Sequence, residues 1–435
     1  MSKRIPFLLV GLLGSVLFLL AALYVIKSQA SLNPFVPPPR KTFRILQLSP
    51  QREVSVWTEE DRVAKMKLSK KLTDGQPVQR LVYDRAKTMD GRVVEERPDS
   101  VIFSEQFGDN GEISVTLPRS RIVRIEPLSV PAPEVTLRDV RFFREFPDKR
   151  FYKKPPYTLI TEESFFSVEQ MVNQLQDLYT QVVEWMAPLI TVSSRRDDIQ
   201  LLIFSDAAEY TAYMRRYAPI LEGSGGFYHM AKDQLVVLHQ RDADWVAQGR
   251  EEINQTAEKQ RGQLKTGNDY RRLSQWKKDS QGRLLTQALE ATRNTIRHEG
   301  AHQLLFTLGV QNPLQNGHGW VCEGLATFFE TVKPGGINLS RRNELKAAEA
   351  CGQLIPLSRL LALTRCETSL EYAEAWALTC LLMQPEYRTG FFAYLDGLRN
   401  HPAPSFGDPE AELCRFLSCS PVELERRWQT FLSTF

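Results

Sequence analysis

Histidine is scarce in this 435-residue chain, with 6 copies. Cysteine is missing from the first 320 residues, and all 6 copies follow them. A charge of one sign is lacking too, because 55 Lys+Arg face 52 Asp+Glu and leave a net +3. That balance excludes an electrostatic case for nucleic acid or an acidic polymer as partner. Glycine and proline, at 24 and 25 residues, sit at ordinary levels, and 42% of the chain is hydrophobic. The composition is therefore that of a globular protein. No internal repeat is present, and the length fits two or three domains.

Long apolar runs are absent with one exception. Lys3 and Arg4 precede an uncharged stretch of 21 residues, Pro6 to Ile26. At about 1.5 Å per residue this spans the roughly 30 Å hydrocarbon core of a bilayer. Residues 1–30 are accordingly read as a retained transmembrane helix, since a cleaved signal has a shorter apolar region of about 7–15 residues. Ser28-Gln29-Ala30 keeps cleavage, and a secreted product, as the alternative. The leading positive charges favour the N-terminus inside, which places the bulk of the chain outside the cytoplasm, periplasmic or at the cell surface. In that location the cysteines can form disulfides, with Cys351–Cys366 and Cys414–Cys419 the nearest neighbours. The other reading makes them small buried hydrophobes.

Asn33-Pro34-Phe35-Val36-Pro37-Pro38-Pro39 makes residues 31–40 a stiff linker. Residues 41–130 read as β structure. Asp90-Gly91 and Asn110-Gly111 are hairpin-turn signals, the second flanked by strands at Val101–Phe107 and Glu112–Leu117. Short strands with tight turns predict a small barrel, loosely similar to SH3-like or Sm-like barrels. Prolines bracket a second linker at 131–156. From 157 to 435 the pattern is mixed α/β, then helical. Strands are expected at Tyr157–Thr161 and Ile199–Phe204, with a hairpin over Phe227–Met230 and Leu235–Leu238. Residues 241–287 are densely charged and predict one or two solvated helices, a surface excursion or a lid.

His298-Glu299-Gly300-Ala301-His302 carries the chemistry. Residues i and i+4 share a helical face, so both imidazoles can reach one metal ion, with Glu299 beside them to move a proton. The motif helix is expected from Leu284 to Leu308, stopped by Gly309. Glu323 follows His302 by 21 residues on a Trp-led helix. Gly324 and Ala326 beside it allow the close helix approach that a third ligand needs. His318 is the rival for that place, and as a fourth ligand it would favour a structural site. Glu330, seven residues after Glu323, and Asn294 are candidates to orient a histidine. Tyr372 is the candidate oxyanion donor, with Tyr228 second. His229, His239 and His401 are read as structural.

His298-Glu299-Gly300-Ala301-His302-Gln303-Leu304-Leu305, then Trp320-Val321-Cys322-Glu323-Gly324-Leu325-Ala326-Thr327, then Tyr372-Ala373-Glu374-Ala375-Trp376 resemble the gluzincin clan. Within it, the similarity is to thermolysin-like "peptidase MA" zinc metallopeptidases of an uncharacterised exported bacterial branch, over about residues 155–435. The resemblance implies Zn2+ held by His298, His302 and Glu323, catalysis by Glu299, and a helical C-terminal subdomain closing the cleft. Thermolysin has an aspartate four residues after its third ligand, where this chain has Thr327.

The expected architecture is thus α+β: an N-terminal transmembrane helix, a small β-barrel-like domain, and a zincin-like catalytic domain with a mixed sheet and a helical C-terminal subdomain. The expected function is a membrane-anchored extracytoplasmic metallopeptidase acting on a peptide or protein substrate. The alternative is a non-catalytic, surface-anchored binding or scaffold protein with a structural or vestigial metal site. Hydrolysis of a non-peptide amide stays open at this point.

Overall fold

The structure, a computed structural model, describes residues 57–435 apart from 75–77, 108–110, 130–133, 164, 193–197, 222, 313–317 and 401–407. These residues form one unit, Trp57–Phe435. The apolar run at 6–26, the linker at 31–40 and the start of the β region at 41–56 lie outside the described residues. Among the described residues, no helix is long and apolar enough to cross a membrane.

The chain's first described element is a helix where strands were expected. Thr58 and Asp61 exchange backbone and side-chain hydrogen bonds, a capping box that starts α1 (Glu59–Asp74). Ala64, Leu68 and Leu72 recur at four-residue spacing and are buried. They pack on α2 (Leu137–Glu145), and Arg144 of α2 meets the buried Asp61 at 2.6 Å.

Five antiparallel strands follow α1: β1 (Gln79–Tyr83), β2 (Lys87–Glu96), β3 (Ser100–Phe107), β4 (Gly111–Pro118) and β5 (Ile122–Pro127). Their order is β4-β3-β2-β1-β5, so β4 and β5 are edges and the sheet stays open. The barrel expectation fails here for a physical reason. In this sheet's cluster Leu81, Phe103 and Leu117 are buried, while Tyr83, Met89, Val93, Val115, Ile122 and Ile125 are only partly so, which is not the filled interior of a closed barrel. Asp90-Gly91 is not a turn but lies inside β2. A Cβ on Gly91 would sit 1.9 Å from the Ser104 carbonyl oxygen, so glycine is required there for close strand approach.

The expected linker at 131–156 holds two elements instead. Thr136 and Asp139 form a second capping box at α2. The prolines at 155 and 156 turn β6 (Arg150–Lys154) back onto β7 (Tyr157–Thr161). With β8 (Ile199–Phe204), β9 (Gly226–His229) and β10 (Gln234–Leu238) they make a second sheet, β6-β7-β8-β10-β9. Its centre is parallel and both its edges are antiparallel. Leu201, Ile203, Leu235 and Val237 face α3 (Phe165–Met186) and the motif helix. Leu202, Phe204, Val236 and Leu238 face α2 and α4 (Ala207–Tyr217). Burial on both faces explains why β8 and β10 read as unbroken apolar runs.

The charged segment 241–287 and the motif helix are not separate. α5 (Asp244–Arg261) is followed by one helix of 41 residues, α6 (Gly267–Thr307), begun by a Thr266–Asp269 capping box. Gly309, at φ +70, ends it as expected. The rest is helical: α7 (Gly319–Glu330), α8 (Leu339–Ala350), α9 (Leu357–Leu361), α10 (Ser369–Leu382), α11 (Pro385–Asn400), α12 (Pro409–Leu417) and α13 (Pro421–Leu432). All six cysteines are free thiols, so of the two readings left open the disulfide one is not met, and Cys366 and Cys414 are buried.

Candidate metal centre

The site depends on three close helix contacts. Gly300, between the two motif histidines, lies against α3, where a Cβ would come within 2.7 Å of Leu175 Cδ2. Gly319 opens α7 so close to Arg365 that a Cβ would lie 2.3 Å from its Cα. A Cβ on Gly324 would meet Thr379 Oγ1 of α10 at 2.3 Å. Gly300 thus seats α6 on α3, Gly319 seats the start of α7 on the connection before α10, and Gly324 seats α7 on α10.

His298 Nε2 and His302 Nε2 lie 3.2 Å apart. Glu323 Oε2 is 3.2 Å from the first and 3.3 Å from the second. Tetrahedral zinc with bonds of about 2.0–2.1 Å sets its ligand atoms roughly 3.3 Å apart, so this triangle has the size that the ion requires. The donor set of two imidazoles and a carboxylate also suits zinc. Burial opposes charge on all three side chains, yet the Glu323 and Glu330 carboxylates raise His298 to about 9. Glu323 raises His302 as well, and the imidazoles hold Glu323 below the carboxylate range. Three converging donors in a buried site call for positive charge at their centre.

Each imidazole is backed by a neighbour. Glu330 Oε2 stands 3.5 Å from His298 Nδ1, and its other oxygen accepts from Asn338 Nδ2 at 3.2 Å. Glu330 therefore occupies the place that Thr327 cannot fill; the Thr327 hydroxyl donates to the Glu323 carbonyl at 2.7 Å. Cys322 Sγ lies 3.5 Å from His302 Nδ1. Arg297 is buried, and its guanidinium donates to the carbonyls of Phe329, Glu330 and Thr331 at 2.8–3.1 Å and to Gln181 Oε1 at 2.7 Å. A cation at the carbonyl end of α7 is favoured by the helix dipole, and it ties α7 to the motif helix. Cys322, Asn338 and Arg297 were not foreseen. The only sequence signal is that Arg297 immediately precedes His298.

Glu299 points toward the second sheet. Its Oε2 accepts the Tyr228 backbone N–H of edge strand β9 at 3.1 Å. Burial, with the nearby Glu323 charge, pushes its carboxyl up from the ordinary value against the pull of the histidines. Tyr372 of α10 is placed at the site, its ring centroid 6.0 Å from that of His298 and its ring under the Arg341 guanidinium. The Tyr228 hydroxyl instead donates to Asp233 Oδ1 at 2.9 Å. His318 caps α7 and lies 3.4 Å from the Tyr394 hydroxyl through Nδ1, outside the ligand group. His229 Nδ1 accepts the Lys232 N–H at 3.2 Å, which holds a turn. Asn294 is exposed, and His401 lies outside the described residues.

A second group among the described residues, Glu163, His239 and Asp242, has metal-like spacing. It already contains a cation. Arg241 Nη2 donates to Glu163 at 2.5 Å and to Asp242 at 2.9 Å. It is an ion-pair network.

Fold and first site together define a mixed α+β protein whose helices present two histidines and a glutamate in metal-binding geometry. Residues 292–403 match a family described as "Protein of unknown function (DUF1570)". That span contains both histidines, Glu299, Glu323 and Tyr372. No curated protein matches the chain.

Proposed function

We propose that this chain is a zinc metallopeptidase of gluzincin type, acting on peptide or protein substrates outside the cytoplasm and anchored by its N-terminal apolar segment. The observation that carries this reading is the triangle of His298, His302 and Glu323 donors with Glu299 beside it, tied to an edge strand. His298 Nε2, His302 Nε2 and Glu323 would hold Zn2+, which supplies Lewis-acid chemistry and acidifies water at neutral pH.

The chain's own groups do the rest. The Tyr228 N–H fixes Glu299 Oε2, which leaves Oε1 to accept a proton from the attacking water and return it to the leaving nitrogen. Burial raises the basicity of that carboxylate. β9 is a sheet edge, so an extended peptide can add to it as a further strand and lie beside Glu299. Tyr372 is the donor for the developing oxyanion. Glu330 and Cys322 hold the imidazole planes.

The test is Glu299→Gln. The variant should keep one zinc per chain and lose peptide hydrolysis by about 10²–10⁴-fold. A variant that retains full hydrolysis would remove Glu299 from the mechanism. A native chain that holds zinc but cleaves no peptide library would support the scaffold reading.

A further inference from the structure

A cavity of about 330 Å³ lies away from the metal ligands, between α3, α7, α10 and α13. Its walls are aromatic: Trp185, Phe328, Trp376, Phe431 and Phe435. Its polar side is Arg388 of α11, whose guanidinium lies 4.8 Å over the Trp185 ring and donates through Nε to the Met383 carbonyl at 2.9 Å. Among the described residues, no carboxylate lies within ion-pair distance of Arg388. Trp376 Nε1 is buried without a hydrogen-bond partner. Ile337, in the connection between α7 and α8, lines the mouth and is 64% exposed. A concave surface walled by aromatic side chains with one charged group at its edge has the form of a ligand site.

We infer that this cavity binds an apolar carboxylate of the acyl type. The stem fills the aromatic walls and extends over the rim, and the carboxylate faces Arg388. A half-buried guanidinium without an anion favours an anionic ligand over a neutral or cationic one of the same stem. A volume near 330 Å³ falls at the lower end for ligand pockets, as one unbranched stem requires. Phe328 belongs to the helix of Glu323, and Trp376 lies one turn after Tyr372, so an occupant rests on both site-bearing helices. The inference goes beyond the peptidase reading and does not depend on it.

The experiment is calorimetric titration of the full chain with decanoate, decanol and decyltrimethylammonium, each below its micellar concentration. Decanoate should bind saturably to one site. Arg388→Gln should weaken it at least tenfold and leave decanol unchanged. Ile337→Asp, a change at an exposed position that spares the fold, should weaken decanoate by placing like charge at the rim. Absence of saturable decanoate binding to the native chain would overturn the inference. So would equal affinity in Arg388→Gln, or decyltrimethylammonium binding as tightly as decanoate.

Discussion

Two His–carboxylate clusters in this chain have similar spacing and opposite character. Glu163, His239 and Asp242 surround Arg241, which donates to both carboxylates. Among the described residues, Glu323 pairs only with His298 and His302 and with no lysine or arginine. In the first cluster, burial and the Arg241 charge lower His239 below its ordinary value. In the second, carboxylates raise both histidines despite their burial. Buried acceptors must be compensated, and what supplies the compensation separates an ion-pair network from a candidate metal centre. Spacing alone does not.

The sharpest way to break the comparison is to remove donors from each cluster. His298→Ala or Glu323→Ala should take zinc from one ion per chain to none, read by mass spectrometry on the purified protein. His239→Ala should leave the count unchanged. Zinc retained in Glu323→Ala would mean that the triangle is not the ligand set. Zinc lost in His239→Ala would show the second cluster to be the occupied one.

Arg297 tests whether the metal centre is held from behind. Arg297→Leu leaves the carbonyls of Phe329, Glu330 and Thr331 and the Gln181 amide oxygen without their donor. At about 1–3 kcal/mol for each buried unsatisfied acceptor, with some relaxation, the loss should be about 4 kcal/mol in urea unfolding. An unchanged unfolding midpoint would deny the clamp.

Glu330→Gln is milder. It keeps the Asn338 contact but removes the charge facing His298 Nδ1. Zinc affinity, measured by chelator competition, should fall about 10–100-fold, as for other outer partners of metal-bound histidines. No change would reduce Glu330 to a packing residue.

The centre was legible in sequence where its geometry is helical. A spacing of four residues puts His298 and His302 on one face, and seven residues put Glu323 and Glu330 on another. Gly324 signalled the close helix contact. The supports were illegible because they are tertiary. Arg297 reaches backbone carbonyls more than thirty residues away, and carbonyls carry no sequence signature. Cys322 was read as a possible disulfide partner, while the structure sets it against His302. In the first sheet, β3 and β4 were readable as strands, while β1 was not named and β2 was read as a turn at Asp90-Gly91. That the sheet stays open was not readable, because pairing order depends on which edges meet. α1 was missed because the β reading of 41–130 ran past the capping box at Thr58 and the four-residue apolar spacing behind it.

A third buried carboxylate completes the comparison, because it has neither arginine nor imidazole. Glu374 of α10 is fully buried and, among the described residues, accepts only the Ile355 N–H, at 2.8 Å. Burial pushes its carboxyl up to about 7 from 4.5, so its compensation is a proton. Between those values the folded chain retains a proton that the unfolded chain has lost, and stability must fall as pH rises through that window. The stabilising contribution is fully present below about 4.5 and gone above about 7. Glu374→Gln keeps an oxygen for Ile355 and cannot ionise. It should be more stable than the native chain by about 3 kcal/mol at about pH 8, and nearly equal to it near pH 4.5, in urea unfolding at both. Zinc content should not change. A variant with the same pH dependence as the native chain would show that Glu374 is ionised in the fold, and that a carboxylate can lie buried here with no cation at all.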